Sequence, residues 1–180
     1  MKKNFKKLSA ILMAIVMVLA MSTSVFAATG EKAAGTAKVN IYIVEDNGNS
    51  THVQTDSVEA GQSVYDVVKN IYGYYKPTWT PGKDVFDGSE TQYLDTFIGY
   101  GPVNVDHYYA PDNSGWSKDW GWLYTVNDVM PSFPDNPEHG MAMNQYIIKS
   151  GDSIDLVYTL TDTSWDSNYK TTFKVVYPWK

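Results

Sequence analysis

Residues 61–73, with the sequence GQSVYDVVKNIYG, constrain the fold most because they combine helical periodicity with signals for both helix ends. Four apolar residues follow one another at i, i+3, i+4 and i+7, which places them on one face of a helix. These residues are Val64, Val67, Val68 and Ile71. Ser63 and Asp66 have the spacing of a capping box, and Gly73 favours a stop. We therefore predict one short helix whose apolar face packs on a sheet.

Several other segments alternate with a period of two, which is typical of strands. In KVNIYIVE the side chains of Val39, Ile41 and Ile43 share one face, and the Asn47-Gly48 pair that follows favours a tight hairpin. Alternation also predicts strands in 52–60, 120–126, 154–160 and 171–177. Asn127-Asp128 is expected to form a turn, 145–160 a hairpin that turns at Gly151-Asp152, and 161–169 a polar link. The order strand, strand, helix, strands predicts an α+β fold of the ubiquitin-like β-grasp type, in which a mixed sheet wraps one helix.

Residues 74–119 do not follow either period for long. They contain four prolines, several glycines and many aromatic residues. A connection of about 45 residues is too long to be idle. The segment is either a functional insertion or a region that hides short strands such as 91–98, and we favour an ordered, aromatic-rich insertion between the helix and the third strand.

The N-terminus has the features of a secretory signal peptide. Lysines at 2, 3, 6 and 7 precede an apolar run over 8–21, and Val25-Phe26-Ala27 has the small-x-small pattern of a cleavage site. The run of about 14 residues is shorter than the ~20 that a spanning helix needs. We predict a signal peptide over 1–27, a linker over 28–37 and one domain over 38–180. The mature protein is expected outside the cell, without membrane insertion, and a Gram-positive bacterium is the expected source.

The charge of the chain argues against some classes of partner, and its composition excludes cysteine chemistry. Without the signal peptide, ten lysines face 20 carboxylates, a net charge of −10, and the chain has no arginine. This argues against nucleic acid and anionic lipid as partners. The absence of cysteine excludes disulfides, thiolate metal sites and a cysteine nucleophile.

No motif in the chain indicates catalysis or a resident metal. The three histidines, His52, His107 and His139, lack the i, i+4 spacing of a zinc helix, and no nucleophile elbow is present. Segments such as EDNGN and PDNSG are rich in oxygen ligands, but none fits a calcium-binding EF-hand loop. Turn formation explains them as well as a bound cation does. We predict a non-enzymatic protein without a cofactor.

Three short segments together carry a resemblance to a known family. They are GQSVYDVVKN, WGWLYTVND and YIIKSGDSIDLVYT, and their matching positions are Gly61, Ser63, Val64, Trp120, Gly121, Val126, Asn127, Gly151 and Asp152. In this pattern the chain resembles secreted bacterial domains related to the carboxy-terminal β-domain of transcobalamin and intrinsic factor. The resemblance implies a β-grasp module that binds a corrinoid, a cobalamin-like flat ligand.

The aromatic residues are the candidate binding groups. Trp122 and Tyr124 are expected in the core, because large aromatic side chains are mostly buried. Trp116, Tyr108 and Tyr109 lie in loop-like sequence, where they form either a binding surface or a small loop core, and Trp120 lies at the boundary.

These residues give the predicted site. Trp116, Trp120, Tyr108 and Tyr109 would contact the flat face of a corrinoid, and Asn127 would bond its amide side chains. A carbohydrate-binding or adhesion domain that uses the same aromatic residues against a cell-surface glycan is the alternative. A purely structural domain whose loops contact other proteins is a third.

Overall fold

A computed structural model describes residues 35–84, 87–168 and 171–180. The predicted signal peptide and the predicted linker up to residue 34 lie outside the described residues. The first strand begins at Thr36, so residues 36 and 37 of the predicted linker belong to the domain. In the described part of the chain no helix is long and apolar enough to cross a membrane.

The described residues form ten strands, one α-helix and one 3₁₀ turn. The strands are β1 (Thr36–Val44), β2 (Ser50–Glu59), β3 (Thr78–Lys83), β4 (Glu90–Thr96), β5 (Val103–Tyr109), β6 (Gly115–Val126), β7 (Ser132–Phe133), β8 (Asn136–Gly140), β9 (Ser153–Trp165) and β10 (Thr171–Val175). The helix α1 spans Val64–Ile71, and the 3₁₀ turn spans Gly73–Tyr75.

Six strands form the main sheet, in the order β2-β1-β9-β6-β5, with β10 paired to β9 beyond the end of β1. The pair β1 and β9 is parallel, and the other pairs are antiparallel. Two small two-stranded sheets, β3-β4 and β7-β8, accompany it. The long strand β9 is therefore the central strand of the sheet, because it pairs with three other strands.

The prediction of an α+β fold of the β-grasp type is wrong. Of the described residues 56% lie in strands and 8% in helices, with one α-helix, and the main sheet curls into a half-barrel. The chain is therefore mostly β. The sequence reasoning underestimated the strands because it treated 74–119 as an irregular insertion, whereas β3, β4, β5 and the start of β6 lie there.

The predicted helix and its N-terminal cap are confirmed. The Ser63 hydroxyl oxygen accepts a hydrogen bond from the Asp66 backbone N–H at 3.0 Å, and the hydroxyl donates to the Asp66 carboxylate at 2.7 Å. Three of the four predicted apolar residues are buried, whereas Ile71 is 39% exposed. Tyr72, the C-cap residue, is buried in its place. The apolar face therefore rotates slightly at the end of the helix.

The core between the helix and the sheet includes residues of the insertion. Phe97 is fully buried, and its ring centroid lies 5.1 Å from that of Trp122 and 5.9 Å from that of Tyr72. Tyr124 is buried in the same cluster, as the sequence predicted, and Trp122 packs against it. The insertion is thus part of the core and not a separate excursion.

A second, smaller core lies around Val44, Leu123 and Val157, with Tyr177 and Trp179 of the C-terminal segment packed against it. A buried carboxylate holds this segment: the Trp179 Nε1 donates to Asp155 at 2.9 Å, and the Lys180 Nζ lies 2.7 Å from it. Hydrogen bonds from its ammonium to Asp128 and Asp155 raise the pKa of Lys180. These contacts hold the last residues of the chain against the sheet.

Candidate functional site

One end of the main sheet is open on both faces. It consists of β5, residues 115–120 of β6, residues 161–165 of β9, and β10, and we call it the open sheet. None of its residues is buried, and all seven residues of β5 are exposed. Trp120 and Val175 pack against the second core, and the other side chains of the open sheet are exposed or half-buried, so much of this surface is available for contact with other molecules.

The register of the open sheet decides which side chains share a face. Residues directly opposite each other on paired strands point to the same side. Tyr108 is opposite Trp116, and Trp116 is opposite Ser164. Two residues further along, Lys118 is opposite Asp106 and Asp162. We call this side the front face.

The front face continues to Trp120. A bulge in β5 between Asn104 and Asp106 shifts the register, so that Val103 lies opposite Trp120. Trp120 packs against two aromatic rings: its ring is stacked on Tyr158 with centroids 5.8 Å apart, and the Tyr177 ring lies 6.1 Å away. Trp120 lies four positions after Trp116 along β6, a spacing of about 13 Å. The front face thus has an exposed indole, Trp116, and a half-buried indole, Trp120, which packs against the second core, with charged side chains between them.

Three of the five predicted site residues, Trp116, Trp120 and Tyr108, are therefore on one face. They lie on strands, so the expectation that Trp116, Tyr108 and Tyr109 belong to loops is wrong. Loop-like composition misled the prediction, because Asp, Asn and Ser are tolerated in a strand that is exposed on both sides. Trp116 is 37% exposed and Tyr108 is 53% exposed.

Tyr109 points to the opposite side, which we call the reverse face. It is opposite Gly115, and Gly115 is opposite Trp165. Because Gly115 has no side chain, the rings of Tyr109 and Trp165 meet across it, with centroids 5.6 Å apart. A Cβ atom on Gly115 would overlap the Tyr108 carbonyl oxygen and come within 2.7 Å of the Trp165 ring. Glycine at this position is therefore required by the neighbouring strand as well as by the aromatic pair.

The turn between β5 and β6 is held by local hydrogen bonds. The Ala110 N–H donates to the Ser114 carbonyl at 2.8 Å, and the Ser114 hydroxyl donates to Asp112 at 2.6 Å. Hydrogen bonds from Ser114 lower the pKa of the Asp112 carboxyl. The Trp165 Nε1 donates to the Asn113 carbonyl at 2.9 Å. These bonds fix the end of the open sheet and the orientation of the Trp165 indole.

The structure does not bring Asn127 to the other predicted residues. It lies at the opposite end of β6, eleven residues or about 36 Å of strand from Trp116. Its amide is used in the fold: Oδ1 accepts from the Ser153 N–H at 2.9 Å, and Nδ2 donates to Asp152 at 3.2 Å. Asn127 thus connects two turns and has no place in a ligand site on the open sheet.

Sequence reasoning missed Trp165, because it assigned residues 161–169 to a polar link. A signal was present on the other face of β9, where residues that favour strands follow one another two positions apart. They are Val157, Thr159, Thr161, Thr163 and Trp165.

Metal-ligating groups and surface grooves are the other features to consider in the described residues. Among them no group of three His, Asp or Glu side chains is arranged to hold a metal ion. A groove of about 370 Å³ lies along the β3-β4 hairpin, lined by Pro81, Gly82, Lys83, Glu90 and Gln92. None of its lining residues belongs to the open sheet.

A comparison with known protein families and with curated proteins found no match to this chain.

Proposed function

We propose that this chain is a secreted, non-enzymatic module that binds a flat ligand on the front face of the open sheet. The observation that carries the proposal is that Trp116 and Trp120 share this face. Tyr108 is the cross-strand neighbour of Trp116. Aromatic rings on an exposed strand give a large contact area at little cost in side-chain entropy, as in antibody binding sites.

The arrangement of polar groups favours a ring system with a polar periphery. Lys118 lies between the two indoles along β6, with Asp106 and Asp162 on either side. Amide and hydroxyl substituents of a flat ligand can bond to these groups while its apolar face lies on the rings. A corrinoid has this chemistry, and the resemblance in the sequence makes it the first ligand to test.

The test is a titration of the purified protein with cyanocobalamin and cobinamide. We expect quenching of tryptophan fluorescence and a change in corrin absorbance at micromolar concentration. Trp116→Ala should weaken binding at least about tenfold, which corresponds to ~1.4 kcal/mol. Tyr74→Ala is the matched control, because Tyr74 is 65% exposed and lies in the 3₁₀ turn after α1. No response to either corrinoid would refute this ligand.

A carbohydrate-binding or adhesion function is the second candidate, and the openness of the front face favours it. Small-molecule sites usually bury most of their ligand in a cleft, whereas the front face is an open strand surface. A polymer chain lying across Trp116 and Tyr108 needs no cleft. Retention of the wild type on insoluble cell wall, lost in Trp116→Ala and kept in Tyr74→Ala, would favour this function over the first.

A further inference from the structure

The reverse face of the open sheet carries an aromatic cluster that the proposed function does not use. Tyr109 is 67% exposed, and its ring centroid lies 5.6 Å from that of Trp165 and 5.3 Å from that of His107. Phe173 of β10 lies on the same face and is 40% exposed. The cluster is separated from the front face by the thickness of the sheet, so both faces can be occupied at once.

The Trp165 indole is held in place from two directions. It fills the space above Gly115, and its Nε1 is bonded to the Asn113 carbonyl at 2.9 Å. The indole is half-buried, so part of its ring remains accessible. A ring that is fixed before binding loses little entropy when a ligand stacks on it.

Polar groups capable of hydrogen bonding surround the rings. The next row of the reverse face runs from His107 through Ser117 to Thr163. It offers an imidazole and two hydroxyls beside the aromatic pair. Hydroxyl groups act as both donors and acceptors, which suits a ligand that itself carries many hydroxyls.

The size of the apolar surface argues against a protein partner. Large aromatic side chains present 150–250 Å² each, and three partly exposed rings offer about 300 Å² together. A specific protein interface buries roughly 800 Å² on each partner. A single sugar ring needs only one or two stacked aromatic rings and a few hydrogen bonds.

We propose that the reverse face is a saccharide-binding site, in which a pyranose ring stacks on Trp165 beside Tyr109. The hydroxyls of the sugar bond to His107, Ser117 and Thr163. This site is independent of the ligand on the front face. A chain with one ligand on each face can bridge a glycan to a second molecule.

The test is isothermal titration of the purified protein with three hexasaccharides, the β-1,4-linked oligomers of glucose and of N-acetylglucosamine and the β-1,3-linked oligomer of glucose. We expect at least one to bind in the millimolar range or more tightly. Trp165→Ala should weaken that binding at least about tenfold, and Trp165→Phe should keep part of it. Trp116→Ala, the front-face counterpart, should bind within about twofold of the wild type.

Tyr109→Ala is a second variant, because this mostly exposed side chain can be removed without opening a core; it should also weaken binding. Circular dichroism verifies that each variant is folded. The proposal is overturned if no hexasaccharide binds, or if Trp165→Ala and Tyr109→Ala bind as the wild type does. It is also overturned if Trp116→Ala loses the sugar while Trp165→Ala keeps it, since that result assigns the glycan to the front face.

Discussion

Replacement of Phe97 by alanine tests whether the insertion belongs to the core. Phe97 is fully buried, and its ring lies against Tyr72, Tyr75 and Trp122 at centroid distances of 5.9, 5.8 and 5.1 Å. Removing a buried ring of this kind loses its transfer free energy and leaves a cavity, so Phe97→Ala should lower the free energy of unfolding by about 3–5 kcal/mol.

That loss is a large share of the ~5–15 kcal/mol by which a domain is usually stable. The assay is equilibrium unfolding in urea followed by far-ultraviolet circular dichroism. Tryptophan fluorescence is less suitable, because the emission of Trp122 changes directly when the neighbouring Phe97 ring is removed. We expect the midpoint to fall while the slope with urea stays the same.

Tyr93→Ala is the control on the neighbouring strand segment. Tyr93 is 53% exposed, and its removal should cost less than about 1 kcal/mol. A cost below about 1 kcal/mol for Phe97→Ala would refute the reasoning. It would mean that residues 90–100 do not pack on the sheet and helix.

Three further predictions concern the helix cap, the aromatic pair and alkaline pH. Ser63→Ala removes the cap bond to Asp66 and should lower the free energy of unfolding by about 1 kcal/mol in urea; an unchanged midpoint would contradict it. Gly115→Ala places a Cβ against the Trp165 ring and should reduce the near-ultraviolet circular dichroism, with a stability cost of about 1–3 kcal/mol; an unaltered spectrum would contradict the close contact. Burial, helped by a hydrogen bond to Asp152, raises the pKa of Tyr146 from 10.0 to about 12, so the folded state keeps a proton that the unfolded chain releases. Stability should therefore fall between about pH 10 and pH 12, and Tyr146→Phe should make that fall shallower in pH-dependent urea unfolding.

The elements that local sequence specifies were predicted well. The helix at 64–71 follows from a capping residue and an apolar stripe, both contained within nine positions. The β1-β2 hairpin follows from Asn47 and Gly48, and Gly48 adopts a positive φ of 82°. The Asn127-Asp128 turn is also confirmed, with both residues at positive φ.

Other elements could not be predicted because their strands are stabilised by distant partners. Residues 145–149 were expected to be the first strand of a hairpin with β9, but they form no strand, and Ile147 makes an isolated bridge to Ser63. One of the three strands that β9 pairs with is instead β1, more than 100 residues away in the sequence, in a parallel pair. Turn signals do not encode a parallel pair, because its two strands are joined by a long connection.

The candidate site could likewise be predicted only in part from the sequence. The sequence by itself determined that Trp116 and Trp120 are on one side of any strand that contains both, because side chains alternate with a period of two. It left Tyr108 and Tyr109 between a binding surface and a small loop core, and in the structure both are more than half exposed.

Only the tertiary structure decided which residues meet across strands and which faces remain uncovered. Because of the register, Tyr108 lies beside Trp116, and Tyr109 lies on the reverse face with Trp165. Asn127 lies outside the site, because the long strand β6 separates it from Trp116. The physical reason is that periodicity is a property of one strand, whereas register and coverage depend on segments far apart in the chain.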